Sequence, residues 1–305
     1  MQLSKLPAEQ LNKTLRLDSL RFKTGPINIA VKSNIPAVAN HIQHFYGDYD
    51  VLEADEFIDL HIEVNQVGGY RKFYKPQVSF SFDGYEPFVP LPLNQAAAMF
   101  EWGLNWCIAN VAHQYLIIHA AIIEKDGQGL IMPGTPGSGK STLCAALVNR
   151  GWRLLSDEMA LLSLEDGLIY PAPRPVSLKN KSIEIIKGFA PNSVFGEVVP
   201  DTLKGDIAHM RAPTSALVAQ NTPVTPAFLV FPHYKQEADK QLIAQAKSRA
   251  LMTLAEHAFN FNILGEQGFD AMANMIDKVE CYDFSYGNLD MALEGIDSLV
   301  KQQGL

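Results

Sequence analysis

The chain has 305 residues, of which 47% are hydrophobic and 19% are charged. This composition is ordinary for a globular protein, so it excludes wholesale disorder, and the length suggests about two domains or one large one. The formal net charge is −8, and a chain this acidic lacks the electrostatic signature of a nucleic-acid-binding protein.

Three widely spaced cysteines, Cys107, Cys144 and Cys281, form neither a disulfide framework nor a zinc motif. Reduced thiols of this kind are typical of a cytoplasmic protein. The first twenty residues have no apolar core of the signal-peptide type, and the apolar run Tyr115–Ile123 is too short to cross a bilayer. We therefore expect a cytoplasmic protein with no membrane insertion and no nucleic-acid partner.

The first part of the chain predicts a small α+β domain. Residues 1–15 fit a short polar helix or a loose end, and the pattern from Leu17 to Pro92 is strand-like, with one helix near Ala37–Phe45. The stretch Asn94–Ala112, rich in Ala and aromatic residues, predicts a helix that joins this domain to the next. The expected division is 1–112 for the N-terminal domain with its linking helix and 113–305 for the second domain.

From residue 115 the pattern changes to alternating strands and helices. A strand over 116–123, the turn Asp126-Gly127 and a strand over 129–132 predict a hairpin that ends in a glycine-rich loop. A helix over 141–149 and a strand over 152–156 follow, and a second hairpin is predicted around Asp166-Gly167. Further on we expect a strand at 227–231 and helices at 248–259, 269–279 and 289–301.

The segment GTPGSGKS at positions 134–141 has the spacing of a phosphate-binding loop. Its glycines allow successive N–H groups to point at phosphates, and the following helix adds the positive end of its dipole. Lys140 would reach the β- and γ-phosphates, and the Ser141 hydroxyl would bind Mg²⁺. The remaining alternative is a fortuitous glycine-rich turn. The residues predicted to contact ATP are Gly134, Thr135, Pro136, Gly137, Ser138, Gly139, Lys140, Ser141 and Thr142.

Asp157 and Glu158 close the strand that follows the loop helix. In a βαβ unit their carboxylates would emerge at the same sheet edge as the phosphate loop. One carboxylate could hold Mg²⁺, and the other could accept a proton from an attacking hydroxyl. The alternative is a solvated strand end with no chemical role.

His119 is a further candidate. A two-residue turn at Asp126-Gly127 pairs Ala121 with Met132 and would place His119 opposite Gly134, beside the phosphate loop. A lone His in an apolar strand is equally compatible with a buried core residue.

Four basic residues downstream are candidate phosphate or substrate contacts: Arg174, Lys179, Lys204 and Arg211. The second hairpin would bring Arg174 back toward Asp157 and Glu158, although three prolines disturb this pairing. Taken singly, Lys179, Lys204 and Arg211 fit a solvated surface cation better than a ligand contact.

Three of these features together resemble the HPr kinase/phosphorylase family. They are His119 followed by two alanines, the GTPGSGKST loop and the run Arg150–Glu158, and the histidine and aspartate lie 21 residues before and 17 residues after Lys140. The resemblance implies an α/β P-loop kinase domain of the HPr kinase and phosphoenolpyruvate carboxykinase type, with a smaller N-terminal α+β domain.

The HprK-related kinase A subgroup is the more similar branch. Its pattern includes a helix like Glu101–Trp106, a segment like Pro173–Asn180 and a segment like Lys204–Pro213. The resemblance therefore covers nearly the whole chain, and its specific part is residues 119–158.

The resemblance also implies roles for individual residues. Asp157 would take the proton of the acceptor hydroxyl, His119 would lie close to it and tune or relay that proton, and Lys140 would neutralise charge on the phosphoryl group. Ser141 and Glu158, with Asp157, would handle Mg²⁺. These roles define a serine kinase that uses ATP and Mg²⁺.

The acceptor is left open. The loop has Thr135 and Pro136 where the family often has an acidic residue and a serine, and a signature linked to phosphorolysis is missing, so we expect neither phosphorylase activity nor HPr as the substrate. The subgroup's association with peptide-carrier gene clusters implies a protein or peptide acceptor, and members of the family are often homo-oligomers. A small-metabolite kinase and a nucleotide-binding regulatory module without transfer are the alternatives.

Overall fold

A computed structural model describes residues 1–135 and 137–302 of the chain. It is a mixed α/β structure with several sheets. The strands are, in chain order, β1 Leu20–Thr24, β2 Ile27–Ser33, β3 Leu60–Gln66, β4 Gln77–Phe82, β5 Leu91–Pro92, β6 Tyr115–Ile118, β7 Ala120–Lys125, β8 Gln128–Pro133, β9 Arg153–Ser156, β10 Ala160–Ser163, β11 Ile169–Tyr170, β12 Val176–Lys179, β13 Val199–Thr202, β14 Gly205–Met210, β15 Thr225–Tyr234, β16 Gln241–Ala244 and β17 Glu280–Tyr286.

The helices include each of those that the sequence pattern predicts. They are α1 Ala8–Leu17, α2 Pro36–Phe45, α3 Ala96–Val111, α4 Lys140–Val148, α5 Lys181–Phe189, α6 Thr214–Val218, α7 Lys247–Ala255, α8 Phe261–Leu264, α9 Glu266–Lys278 and α10 Leu289–Gln302. Short 3-10 turns occur at Leu3–Lys5, Gly69–Lys72 and Leu93–Gln95. Within the two described ranges, no helix is long and apolar enough to cross a membrane.

The first five strands form one sheet in the order β1-β2-β3-β4-β5. All neighbours are antiparallel except β2 and β3, which are parallel and are joined through α2. The alternation along β3 buries Leu60, Ile62 and Val64 beneath the helices, as a half-buried strand requires. Helix α3 packs closely on β4, because Gly103 has no Cβ to clash with the ring of Phe80.

The second large sheet has the order β16-β17-β15-β8-β7-β9. Strands β17, β15 and β8 are parallel, and β7 runs antiparallel between β8 and β9. The hairpin of β7 and β8 turns at Asp126 and Gly127, whose φ angles of 53° and 81° both lie in the left-handed region. The predicted register is confirmed, because Ala121 pairs with Met132.

The single strand predicted over 116–123 is wrong, because the chain changes sheets at His119. Strand β6 pairs with β10 in the three-stranded sheet β11-β10-β6, whereas β7 belongs to the six-stranded sheet. The backbone N–H of His119 donates to the carbonyl of His257 at 2.7 Å, and the β7–β8 ladder ends at Ala120 and Pro133. His119 is therefore not paired with Gly134.

Strands β8 and β9 point the same way, since each is antiparallel to β7 between them. Helix α4 connects them, so the loop after β8 and the residues after β9 meet at one edge of the sheet. A second three-stranded sheet, β12-β14-β13, contributes the segment that follows.

One apolar cluster extends across the expected domain boundary. It contains the core of the five-stranded sheet together with Tyr115, Ile117, Met159, Leu161 and Ala172 from the second half. The division at 112/113 stays a prediction.

Candidate functional site

The loop between β8 and α4 takes a conformation that its glycines make available. Gly137 and Gly139 have φ angles of 91° and 92°, in the region that side chains with a Cβ rarely adopt. The Tyr234 N–H donates to the Ser138 carbonyl at 3.0 Å, which ties the loop to the end of β15. Pro136 lies outside the described residues, so its predicted contact stays a prediction. The loop thus leads directly into the N-terminus of a helix, where backbone N–H groups favour anions.

Lys140, the first residue of α4, is buried, and its Nζ atom finds no hydrogen-bond partner in the part of the chain that the structure describes. Burial lowers the pKa of this lysine, while the carboxylates of Glu158 and Asp157 act in the opposite direction. A buried ammonium without a partner is unfavourable. Its position at the glycine-rich loop fits an anion that would supply the missing acceptor.

Asp157 follows β9 and is only 4% exposed. Its Oδ2 atom accepts a hydrogen bond from the Ser177 N–H at 3.0 Å, whereas its Oδ1 atom has no partner within 1–135 and 137–302. Burial, followed by the charge of Glu158, raises the pKa of Asp157 to about 6, against the opposing effects of Lys140, Ser177 and Ser141. The carboxylate is held by one oxygen and leaves the other available for a proton.

The pKa of Glu158 is shifted in the opposite direction. Burial alone would raise its pKa, but a hydrogen bond from His119 and the charges of Lys140 and Lys179 hold the pKa below the ordinary range of a glutamate. Its Oε2 atom lies 3.2 Å from the Nε2 atom of His119. The two adjacent carboxyl groups therefore have well separated pKa values. Glu158 stays ionised, whereas Asp157 changes its protonation state near pH 6.

His119 is brought to the site, but its contact is with Glu158 rather than with Asp157. The ring stacks on Phe259, with a centroid distance of 5.5 Å and an interplanar angle of 27°. Sequence reasoning missed Phe259 and the backbone contact of His257. Neither has a local signal, because the segment after α7 reaches His119 only through tertiary contacts.

Two of the four downstream cations are part of the same electrostatic site. Lys179 and Lys204 each interact electrostatically with Lys140, and Lys204 also interacts with the carboxylate of Glu158. Lys204 lies in the turn between β13 and β14, with its Nζ atom 5.3 Å from the centroid of the Trp102 ring. Burial lowers the pKa of Lys204. A concentration of three lysines around one glutamate favours a polyanionic ligand.

Arg174 and Arg211 make their contacts elsewhere. Arg174 is buried, forms an ion pair with Glu101 at 3.7 Å and donates to Asn105. Arg211 forms an ion pair with Asp48 at 2.8 Å. These contacts do not place Arg174 beside Asp157 and Glu158, where the second hairpin is predicted to bring it. The physical reason lies in the preceding residue, since the Pro173 carbonyl accepts hydrogen bonds from the side chains of Thr24 and Tyr49 and directs the chain toward the N-terminal half.

A metal site that protein side chains complete on their own needs several grouped ligands. Across the described ranges, no three His, Cys, Asp or Glu side chains are grouped to hold a metal ion. Ser141, Asp157 and Glu158 nevertheless offer hard oxygen ligands beside the loop, as Mg²⁺ prefers when phosphate oxygens and water complete its shell.

Comparison with known families gives a match over part of the chain. The family described as SynChlorMet cassette protein ScmC matches residues 94–175, which is less than half of the chain. The matched region runs from just before α3 to beyond Asp157 and Glu158 and so includes the glycine-rich loop. No curated protein matches the chain.

Among solved structures, the HPr(Ser) kinase/phosphatase from Coxiella burnetii is similar to this chain. The sequence identity is 14%, and the match covers 61% of this chain and 95% of that one, with a TM-score of 0.29. Because this TM-score is low, the function has to be inferred from the residues of the site itself.

Proposed function

We propose that the chain is an ATP- and Mg²⁺-dependent kinase that transfers the γ-phosphoryl group to a hydroxyl acceptor, most simply a serine of a protein or peptide. The single observation that carries this proposal is the environment of the Lys140 Nζ atom at the glycine-rich loop. This atom is buried, has no hydrogen-bond partner among the described residues and lies beside a carboxylate pair with separated pKa values. We also propose that the six-stranded sheet with α4 is a P-loop kinase domain of the HPr kinase and phosphoenolpyruvate carboxykinase type.

The loop residues support the binding of a nucleoside triphosphate. The backbone of Gly137–Gly139 and the start of α4 would surround the β-phosphate, and Lys140 would pair with the β- and γ-phosphates. Lys179 and Lys204 would add positive charge where the transferring group carries its negative charge. Thr135, Ser138 and Thr142 lie on the same loop and helix turn.

Ser141, Glu158 and Asp157 would hold Mg²⁺ together with phosphate oxygens. The bound ion would neutralise charge on the phosphates during transfer. A glutamate that stays ionised at low pH suits this role better than a carboxylate that titrates near pH 6.

Asp157 is the proposed general base. Its free Oδ1 atom would accept the proton of the acceptor hydroxyl as the oxygen of that hydroxyl bonds to the γ-phosphorus and the bond to the β-phosphate oxygen breaks. The Ser177 N–H holds the other oxygen and so fixes the orientation of the carboxylate. His119 would orient Glu158 and adjust its charge, rather than contact Asp157.

The proposal extends to the absence of phosphorylase activity and to a homo-oligomeric, cytoplasmic protein that does not bind nucleic acid. Two other functions use the same residues. A small-metabolite kinase would share the whole site and differ only in the acceptor, and a regulatory nucleotide-binding module would not need Asp157.

The decisive experiment incubates the protein with Mg²⁺, γ-labelled ATP and candidate acceptors encoded beside its gene. We expect label in a protein or peptide fraction, with transfer strongly reduced in Asp157→Asn and unchanged in the exposed control Asp166→Asn. Label in a small-molecule fraction would establish the metabolite kinase. ATP binding without any transfer, and an unaffected biological activity of Asp157→Asn where Lys140→Ala has none, would establish the regulatory module.

A further inference from the structure

The connection between β3 and β4 carries an unusual surface. Residues 70–75 read YRKFYK, and we refer to them as the aromatic–basic segment. Tyr70 is 73% exposed, Phe73 is 84% exposed and Tyr74 is 51% exposed. Three large rings this exposed within five residues form a concentrated apolar surface, which single scattered hydrophobic residues do not.

The segment is shaped so that these rings point away from the core. A 3-10 turn over Gly69–Lys72 begins at Gly69, whose φ angle is 65°. The rings of Tyr70 and Tyr74 lie 5.3 Å apart, and Lys75 lies 5.8 Å from the Tyr74 ring. These contacts are internal to the segment, so they hold the rings in place and leave them on the surface.

The charge of this region is opposite to that of the chain. Arg71, Lys72 and Lys75 are exposed, and no acidic residue occurs between Glu63 and Asp83. The chain as a whole carries a formal charge of −8. An anionic surface would therefore be repelled by the molecule on average and attracted to this connection.

We propose that the aromatic–basic segment is a peripheral docking site for anionic phospholipid membranes. Tyr and Phe rings are suited to the headgroup region, where an apolar ring and a polar edge are both accommodated, and adjacent Lys and Arg side chains attract anionic lipids. Protruding side chains match a broad, deformable surface such as a bilayer. The proposal does not depend on the kinase activity.

An acidic polypeptide is the competing occupant. A shallow cavity of about 500 Å³ lies beside the segment and is lined by Arg71, Lys75, Pro76, Pro92 and Leu93 among others. It could seat an extended peptide, but Tyr70, Phe73 and Tyr74 do not line it. The membrane is favoured because it uses the exposed rings as well as the cations.

The test is sedimentation of the full-length protein with vesicles of phosphatidylcholine alone or with about 30% phosphatidylserine, at low and high salt. We expect binding to the anionic vesicles that weakens with salt and is at least about tenfold weaker in R71A/K72A/K75A. The charge-matched control K13A/R16A/K278A removes one arginine and two lysines from exposed positions elsewhere and should bind like the unmodified protein.

A second pair of variants tests the rings. Phe73→Ser should weaken vesicle binding, whereas Phe57→Ser, at a position that is 78% exposed on the same half of the chain, should not. The proposal is overturned by a failure to bind anionic vesicles, or by equal losses in both charge variants. Retention of poly-glutamate through Arg71, Lys72 and Lys75 without vesicle binding would overturn it in favour of an acidic polypeptide partner.

Discussion

The Nε2 atom of His119 lies 3.2 Å from the Oε2 atom of Glu158, although the two residues are 39 positions apart. Each lies outside the strands, where the chain passes between the three-stranded sheet β11-β10-β6 and the six-stranded sheet. This contact helps to separate the pKa values of two neighbouring carboxyl groups, Asp157 and Glu158. Glu158 is kept ionised by His119 and by lysine charges. Asp157 has a raised pKa, and its Oδ1 atom has no hydrogen-bond partner among the described residues.

The first prediction concerns the pH dependence of activity. As the proposed general base, Asp157 would have to be ionised to accept a proton, and burial together with the charge of Glu158 raises the pKa of Asp157 to about 6. We expect kcat/KM to rise with pH through an acid limb near pH 6, because this parameter reports the groups of the free enzyme. The measurement is a pH profile of phosphoryl transfer. In Asp157→Asn the residual rate should lose that limb, and a limb that persists there would assign it to another group.

The second prediction concerns the unfolding free energy that is lost when the buried Asp157 ionises. Its folded-state pKa lies above its unfolded value of about 4, so stability present below pH 4 is lost as the pH rises through 6. An asparagine at position 157 does not ionise, so the stability of Asp157→Asn does not fall over this pH range. Its side-chain oxygen can still accept the hydrogen bond from the Ser177 N–H. We expect the variant to gain about 1–3 kcal/mol in unfolding free energy at pH 7, and to gain little at pH 4. Urea titrations at the two pH values would check this, with Glu158 intact in both proteins.

The third prediction compares two glycines of the loop. Both Gly137 and Gly139 have left-handed φ angles, but an added Cβ at 137 meets open space, whereas at 139 it meets the Tyr286 hydroxyl and the side chain of Tyr234. We expect Gly139→Ala to impair ATP binding more than Gly137→Ala, as measured by calorimetry. Adding Tyr286→Phe should restore part of the loss, because the Tyr286 hydroxyl is buried with no hydrogen-bond partner among the described residues.

The fourth prediction concerns the join between the two halves. Glu101 of α3 is buried and accepts hydrogen bonds from His41 at 2.7 Å and Tyr46 at 2.8 Å, in addition to its ion pair with Arg174. Burial opposes ionisation, yet His41 and Arg174 bring the pKa of Glu101 down to about 2. Its contribution to stability is thus present above about pH 4.5 and is lost as the pH falls toward 2.

Glu101→Gln should lower the unfolding free energy by about 3–5 kcal/mol at neutral pH, because it leaves the buried Arg174 without a charge partner. The exposed pair of Glu184 and Lys187 offers a control, since Glu184→Gln should change stability by less than about 0.5 kcal/mol. Differential scanning calorimetry would show whether both halves still unfold in one transition. Equal effects of the two substitutions would contradict the role assigned to Glu101.

The features that follow from local chemistry could be predicted from the sequence. Asp126 and Gly127 supply the two left-handed residues of a tight hairpin, so the register of β7 and β8 is determined within a few residues. The helix after the glycine-rich loop likewise follows from its own pattern.

The rest depends on contacts between distant segments. The break at His119 arises because β10, some forty residues later, pairs with β6 and because His257 accepts the His119 N–H. Lys179, at the end of β12, and Lys204, in the turn between β13 and β14, reach the site from a separate sheet. The sequence names both as candidate contacts, but it does not separate them from Arg174 and Arg211, whose ion pairs lie elsewhere. Arg174 is placed by Glu101, a helical residue whose neighbours read as ordinary core.

The antiparallel strand β7 acts as a spacer within the candidate site. Hydrogen-bonded strands lie about 4.8 Å apart, so inserting one strand between β8 and β9 separates their ends by about 10 Å. Directly adjacent β8 and β9 would leave only about half of that distance between the glycine-rich loop and Asp157. The inserted strand therefore sets the lateral distance between the glycine-rich loop and Asp157, and this distance is built into the backbone pairing rather than into any side chain.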